Sequence, residues 1–166
     1  MAATETVFGR PTVSVIVPAR NEEAALGTCL ESLVSQCLVL QGDALQSDVL
    51  PSDVRFEIIV VDDDSRDRTR DIAQSFANQQ VRIVEAGRLP AGWTGKNNAV
   101  TAGSRAARGE WLLFTDADTI HRPASLARSL AEAKRQGAAM LSYSPEQIVK
   151  SFAEKAVMPV IFAAKA

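Results

Sequence analysis

The sequence has little of what marks a disulfide-linked, zinc-binding or membrane-spanning protein. Its two cysteines, Cys29 and Cys37, show neither C-x-x-C spacing nor a neighbouring cluster of histidine and cysteine. That pattern argues against a zinc site, and we expect both to be reduced, buried thiols in a cytosolic protein. No run approaches the ~20 apolar residues that a spanning helix needs, and residues 1–10 contain no apolar segment typical of a signal peptide.

A strong net charge is also missing. The chain carries 18 basic and 20 acidic side chains, for a formal charge of −2, which gives no overall attraction to nucleic acid. A polyanionic ligand would therefore have to be bound by local features such as a metal ion or a few cations. The length of 166 residues and the hydrophobic content of 46% predict one domain over residues 1–166 with a sizeable core.

Short apolar runs alternate with helical patterns along the chain. The predicted strands are 13–18, 56–61, 81–84, 111–115 and 138–143, and the predicted helices begin after Asn21 as N-cap, at about 67, at about 97 and at Pro123. Because the strands are continuously apolar, we predict an α/β fold: a mostly parallel sheet with helices on both faces. The polar segment 38–55 is predicted to be an inserted surface loop.

Polar side chains follow three of these strands. Arg20-Asn21-Glu22 follows the first, Asp62-Asp63-Asp64 the second and Asp116-Ala117-Asp118 the fourth. Ligands of parallel α/β sheets bind outside the carboxyl ends of the strands. The three groups are therefore predicted to converge on one binding edge.

Asp116 and Asp118 are candidate ligands of a divalent cation. Carboxylates at positions i and i+2 of a strand end can turn toward one ion, and hard oxygen ligands suit Mg²⁺ or Mn²⁺ bridging to phosphates. The alternative is a solvated turn in which Asp118 caps the next helix. His121 is either a third ligand or a polar residue at the start of that helix.

Lys96 and the aspartates after the second strand are candidate ligand contacts. Lys96 ends a Gly-bounded loop at a predicted helix start, which suits an anion, although the spacing is not that of a P-loop. One carboxylate of Asp62-Asp63-Asp64 can accept an N–H of a nucleobase, while another caps the following helix. Trp93 is either a loop anchor or a wall of the site.

Four motifs in order resemble the inverting glycosyltransferases of family 2, which have a GT-A fold. They are VSVIVPARNEE at 13–23, IIVVDDDSRDRT at 58–69, GKNNA at 95–99 and FTDAD at 114–118. The resemblance covers about residues 12–143, and the Trp93-Thr94-Gly95-Lys96 variant is similar to the branch acting in hopanoid and carotenoid glycosylation.

The resemblance implies a nucleotide-diphosphate sugar donor, usually UDP-linked, and a bound Mg²⁺ or Mn²⁺. It implies nucleoside contacts from Pro18, Ala19, Arg20 and Glu22, base contacts from Asp62 or Asp63, and base or diphosphate contacts from Lys96. Asp116 would contact the ribose and diphosphate, and Asp116 and Asp118 would hold the metal. The implied acceptor is a hydroxyl, on a lipid in one interpretation, at the cytoplasmic face of a membrane.

The chain also departs from the family pattern. Asp64 stands where the family has glycine, which could alter the turn after the second strand. The family's general base and its Gln-x-x-Arg-Trp element lie farther downstream and are not found here, so no catalytic base is carried over. We expect residues 145–166 to be an incomplete acceptor-side or membrane-proximal segment, with peripheral membrane contact through 156–164.

Two other classes compete with sugar transfer. The first is a non-catalytic or truncated binder of nucleotide sugars. The second is a phosphotransfer or phosphatase domain, which the residues around the aspartates fit poorly: Ile120 stands where a haloacid-dehalogenase pattern needs Thr or Val. Sugar nucleotidyltransferases would need a glycine-rich basic loop after the first strand, where Pro18-Ala19-Arg20-Asn21 stands.

Overall fold

The computed structural model describes residues 11–39, 54–77, 80–144 and 146, and for residues 37–39 it describes the backbone only. The elements are β1 (Val13–Ala19), α1 (Leu26–Val39), β2 (Phe56–Asp62), α2 (Thr69–Ser75), β3 (Val81–Glu85), α3 (Gly95–Ala106), β4 (Trp111–Phe114) and α4 (Ser125–Gln136). Strands and helices alternate, as the sequence predicts.

The four strands form one parallel sheet in the order β3-β2-β1-β4. β1 and β2 lie at its centre and are almost wholly buried, which explains why they are continuously apolar. The prediction of a mostly parallel α/β sheet is confirmed.

Helices cover the two faces unequally. One face packs against α1, α2 and α4 through a core that includes Val15, Val17, Leu30, Ala73 and Leu130. The other face packs against α3 through a smaller cluster of buried side chains, which are Ile16, Ile59, Val61 and Ala99. This division follows from the topology: crossovers toward β3 place their helices on one face, and the return crossover to β4 places α3 on the other.

The order of the strands creates a switch point between β1 and β4. From β1 the chain moves outward through β2 to β3 and then returns to pair β4 with the free side of β1. In parallel α/β sheets a ligand-binding crevice is expected at such a switch point, outside the carboxyl ends of the two strands, which here are β1 and β4. Arg20 and Asp116 follow those ends.

A buried polar network ties the amino ends of the strands together. Ser14 donates to Glu57 Oε1 at 2.6 Å, and the guanidinium of Arg82 donates to Glu57 Oε2 at 2.9 Å. The backbone N–H of Arg108 also donates to Glu57. Burial favours the protonated carboxyl, but the bonds from Ser14, Arg108 and Arg82 outweigh it and lower the pKa of Glu57.

The predicted fifth strand at 138–143 is wrong. Gly137 ends α4 in a left-handed conformation, and the N–H of Ala138 donates to Ala133 O. Beyond it, Met140 is 83% exposed and Tyr143 62% exposed. An apolar run becomes a strand only where another strand can pair with it, and no described strand lies beside this one.

The start of the first helix is also corrected. Asn21 has φ 55° and α1 begins at Leu26, so Asn21 is not its N-cap. At its other end α1 continues to Val39, past the predicted start of the insertion. Residues 40–53 of the insertion and most of 145–166, including 156–164, lie outside the described residues. None of the described helices is long and apolar enough to cross a bilayer.

Candidate functional site

The loop after β1 is bonded to the loop after β2. Asn21 accepts from the N–H of Arg66 at 2.8 Å through its side chain, and its own N–H donates to Ser65 Oγ. The N–H of Glu22 donates to Thr69 Oγ1 at 2.7 Å. These bonds satisfy backbone groups that a helix starting earlier would have used, and they fix Arg20 and Glu22 beside the carboxyl edge of the sheet.

The three consecutive aspartates are placed very differently. Asp62 is buried and accepts from the N–H of Ser65, which closes the turn after β2. Asp64 is exposed with φ 58°, so the position where the family has glycine keeps the left-handed conformation with an aspartate, which tolerates it. Asp63 is the one that faces the loop after β1, where its Oδ2 lies 3.4 Å from Arg20 Nη1.

Helix α3 begins against Asp63. A Cβ atom placed on Gly95 would lie 2.2 Å from Asp63 Oδ2 and 3.6 Å from Arg20 Nη1. Thr94 caps the helix by accepting from the N–H of Asn97. Only a residue without a side chain permits this approach, so Gly95 brings the positive end of the α3 dipole next to Asp63.

Lys96 and Asp116 are brought together across the crevice. Lys96 Nζ lies 2.6 Å from Asp116 Oδ1, and both side chains are more than half exposed. Such an exposed pair contributes little to stability. Its importance lies in position, since it joins the first turn of α3 to the segment after β4.

Asp116 and Asp118 both project outward while Ala117 between them is buried. The backbone is fixed here, because Thr119 N donates to Asp116 O and the Cys29 thiol contacts the same carbonyl at 3.7 Å. Burial raises the pKa of Cys29 to about 12, so this thiol is a free, inert packing group. The prediction of a buried, free thiol is therefore confirmed for Cys29, while the side chain of Cys37 lies outside the described residues.

Glu22 lies in the electrostatic field of the same aspartates. Burial raises its pKa, and the charges of Asp118 and Asp116 raise it further, whereas Lys96 opposes the shift. The three carboxyls and the ammonium thus share one edge, as the sequence predicts. A cation placed there would relieve their mutual repulsion.

The carboxylates at this edge suit a divalent cation. Within the described part of the chain, no three His, Cys, Asp or Glu side chains are grouped closely enough to enclose a metal ion. Mg²⁺ is commonly held by one or two carboxylates with water and phosphate oxygens, so Asp116 and Asp118 fit the chemistry of such an ion. His121 does not join them: it bonds to Thr115 Oγ1 at 3.0 Å, and burial lowers its pKa.

Pro18 and Ala19 contribute mainly backbone. Ala19 is 2% exposed and its carbonyl accepts from Asp63 N, while Pro18 is half-buried within β1. Any contact between Ala19 and a ligand would therefore come from its main chain. The closeness of Gly95 to Asp63 and the Thr94 cap are features that the sequence predictions missed. A threonine three residues before Asn97 was the available signal for the cap.

Comparison with known sequences identifies a family. Residues 14–159 match the family described as Glycosyl transferase family 2. The chain is 36% identical over 125 residues to an undecaprenyl-phosphate 4-deoxy-4-formamido-L-arabinose transferase of Pseudomonas aeruginosa, covering 75% of this chain and 33% of the relative. It is 30% identical over 149 residues to a 4,4'-diaponeurosporenoate glycosyltransferase of Staphylococcus aureus, covering 89% and 35%.

Solved structures give the same picture. Staphylococcus aureus TarS in complex with UDP-GlcNAc matches with a TM-score of 0.56 and 25% identity, over 84% of this chain and 37% of TarS. A Pyrobaculum calidifontis mannosyltransferase in complex with GDP-Man and Mn²⁺ matches with a TM-score of 0.54 and 28% identity, over 75% and 32%. The chain spans about a third of the length of the curated relatives that it matches.

Proposed function

The chain belongs to glycosyl transferase family 2, and from that premise we propose that it is the donor-binding part of a glycosyltransferase that uses a nucleotide-diphosphate sugar. The observation that carries the proposal is the meeting of Lys96 and Asp116 at 2.6 Å across the β1–β4 crevice. At this edge the ammonium of Lys96 can bind a diphosphate, and the carboxylates of Asp116 and Asp118 can bind the divalent counterion of that diphosphate.

The diphosphate is proposed to lie against the start of α3. The N–H groups of Gly95 and Lys96 meet no acceptor among the described residues, and the helix dipole favours an anion there. On binding, Lys96 would exchange Asp116 for a phosphate oxygen. Because the Lys96–Asp116 pair is exposed, breaking it costs little.

A divalent cation is proposed to be held by Asp116 and Asp118. Bound Mg²⁺ or Mn²⁺ would offset the negative charge that develops on the departing diphosphate. The support is the paired outward projection of the two carboxylates and the Mn²⁺ named with the related mannosyltransferase.

The nucleoside is proposed to lie over Arg20 and Asp63, with Glu22 beside it. Asp63 can accept an N–H from a base, and the imide of uracil offers one. Other bases offer N–H groups too, so the support for the proposed UDP-linked donor comes from named relatives. Two structural relatives are described with UDP-GlcNAc and with UDP. Asp62 is engaged in its own turn, so Asp63 is the better placed of the two.

Transfer itself is proposed to be inverting. An acceptor hydroxyl attacks the anomeric carbon, the bond from that carbon to the diphosphate oxygen breaks, and the hydroxyl proton passes to a general base that we assign to none of the described residues. A lipid acceptor at the cytoplasmic membrane face is proposed, and its support is a relative named as an undecaprenyl-phosphate transferase. With a phosphate acceptor of that kind, a phosphate oxygen would attack in place of the hydroxyl.

Calorimetry with UDP tests the donor proposal directly. The chain should bind UDP with Mn²⁺ present and at least tenfold more weakly with EDTA, a difference of about 1.4 kcal/mol. GDP titrated under the same conditions should bind more weakly if Asp63 selects uracil. Equal UDP affinity with and without the metal would contradict the proposed role of the cation.

A binder without transfer activity is the second candidate. It is favoured because none of the described residues is assigned as the general base of transfer. Incubation of the chain with UDP-sugars, Mn²⁺ and a lipid extract separates the candidates. Released UDP together with a glycosylated lipid supports transfer, whereas UDP affinity without turnover supports the binder.

A further inference from the structure

Residues 86–109 form a segment without acidic side chains. It contains Arg88, Lys96, Arg105 and Arg108, and no Asp or Glu, in a chain whose acidic residues outnumber its basic ones. The segment comprises the loop after β3 and the whole of α3. Neither Arg88 nor Arg105 has an ion-pair partner among the residues described. The segment is therefore basic although the chain as a whole is acidic, and Asp63 and Asp116 approach it only at the first turn of α3.

Two large apolar side chains are exposed within this basic segment. Leu89 is 48% exposed and Trp93 is 46% exposed. Their loop is well defined: the N–H of Trp93 donates to Pro90 O, and Gly92 at φ 80° occupies the position of a tight turn that requires a positive φ. Thr94 then caps α3. The turn at Gly92 and the Thr94 cap therefore fix the backbone of the loop that exposes these side chains.

Trp93 stands at one end of a shallow depression on the outer face of α3. The depression has a volume of about 350 Å³ and is lined by Gly92, Trp93, Asn97, Val100 and Thr101. Helix periodicity places Asn97, Thr101 and Arg105 in one row, because each is four residues from the next. The opposite side of the helix, with Ala99 and Gly103, packs on the sheet. The depression and Arg105 therefore lie on the outer face of α3, and the loop that carries Leu89 joins this face through the turn at Gly92.

We propose that this surface, which we call the basic face and define by Arg88, Leu89, Trp93 and Arg105, docks on a bilayer that carries anionic headgroups. Tryptophan favours the boundary between headgroups and acyl chains. Each lysine or arginine near an anionic surface adds attraction, and stable peripheral binding needs both apolar and basic contributions. The basic face supplies both, and its open, shallow form suits a lipid surface.

Docking in this way would orient the donor site. The loop that carries Leu89 and Trp93 follows the carboxyl end of β3, and Lys96 lies three residues beyond Trp93. The loop end of the basic face and the proposed donor site therefore share one edge of the sheet, while Arg105 lies at the other end of α3. An acceptor headgroup in the bilayer would then lie near the diphosphate. The inference goes beyond donor binding and can fail while donor binding stands.

Vesicle sedimentation with the 166-residue chain tests the basic face. The vesicles contain phosphatidylglycerol and phosphatidylcholine in equal parts, or phosphatidylcholine alone. Replacing Arg88→Gln together with Arg105→Gln should weaken partition onto the anionic vesicles about 25-fold, or about fivefold for each arginine. Replacing Leu89→Ser with Trp93→Ser should weaken it about tenfold. High salt should reduce the effect of the arginines, because exposed charges are screened.

Matched variants on the opposite side serve as controls. Arg128→Gln with Lys134→Gln removes the same charge from α4, and Met140→Ser with Tyr143→Ser removes exposed apolar side chains. These should leave partition within twofold of the parent chain, and the arginine variants and the controls should keep its UDP affinity. Equal losses of vesicle partition in both sets of variants, or no loss in the basic-face variants, would overturn the proposal. If UDP affinity stays intact in that case, only the docking inference has failed.

Discussion

Gly95 shows how one missing side chain sets the geometry of the site. Its Cα lies so close to Asp63 that an added Cβ would come within 2.2 Å of Oδ2. The carboxylate would have to turn away from both the helix start and Arg20. The loss would fall on the ligand site, since the Arg20–Asp63 pair is partly exposed and contributes little to folding.

We therefore predict that Gly95→Ala weakens UDP binding by about tenfold or more, the loss expected for one charge-assisted hydrogen bond. The free energy of unfolding should change by less than about 1 kcal/mol. Gly137→Ala is the converse control: Gly137 has φ 60° in open space, so alanine there is strained but remote from the site. It should lower stability by about 1 kcal/mol and leave UDP affinity unchanged. Calorimetry and chemical denaturation give both quantities; unchanged UDP affinity in Gly95→Ala would refute the role given to Asp63.

At this scale the sequence predicts residue types better than contacts. The acidic groups and Lys96 could be found because they follow buried strands or open a helix. Which of Asp62, Asp63 and Asp64 faces the crevice could not be predicted. That choice depends on the local turn closed by Ser65, on the left-handed conformation of Asp64 and on the tertiary docking of α3, and residue types alone specify none of the three.

Among the secondary-structure elements, α3 packs most tightly on the sheet. A Cβ on Gly103 would lie 2.5 Å from Ile16 Cγ2 and 2.9 Å from Val61 Cγ2. Both partners are fully buried side chains in the central strands, so neither can move freely. The small residues of α3 therefore serve close packing, and they hold its first turn at the carboxyl edge.

Two helical glycines should respond oppositely to alanine. Gly103→Ala should lower the free energy of unfolding by about 1–3 kcal/mol, because the methyl group overpacks a rigid contact. Gly27→Ala in α1 meets only Ile72 Cγ2 at 3.8 Å; it should be neutral or stabilise by up to about 1 kcal/mol through helix propensity. Urea denaturation of both variants measures the difference. Equal effects would show that α3 does not pack as described.

The elements and the starts of the strands could be predicted from period and composition, but the limits of the helices could not. All four strands begin where the sequence predicts, since apolar β-branched runs are distinctive. The start of α1 was misplaced because Asn21 resembles a helix cap, whereas it bonds to Arg66 in another loop. The apolar run after α4 was taken for a strand because composition cannot reveal whether a pairing partner is present.

Considered as a whole, the molecule has a structural edge and a ligand edge. The amino ends of the strands are joined by Ser14, Glu57 and Arg82 in a buried network. The carboxyl ends carry exposed, mutually repelling carboxylates. Charges that stabilise the fold are thus paired and buried, while those assigned to the ligand lie near water.

This division predicts the acid response of the fold. The folded-state pKa of Glu57 is below its ordinary value of 4.5, so its contribution is present above that value and is lost as pH falls through the folded pKa. Glu57→Gln should therefore cost about 1–3 kcal/mol at pH 7, and the difference from the parent chain should shrink below pH 4.5. Denaturation across this range checks it, with Glu31→Gln on the exposed side of α1 as control. A difference that stays constant with pH would contradict the assignment.

Asp116 and Asp118 are proposed to hold the cation that binds the donor diphosphate. The most direct measurement is UDP affinity with and without Mn²⁺ for Asp116→Asn, Asp118→Asn and the charge-matched control Glu31→Gln. We expect each aspartate variant to lose the enhancement by Mn²⁺ while keeping its fold, and the control to keep that enhancement. Mn²⁺-dependent UDP binding that survives in both aspartate variants would contradict the claim.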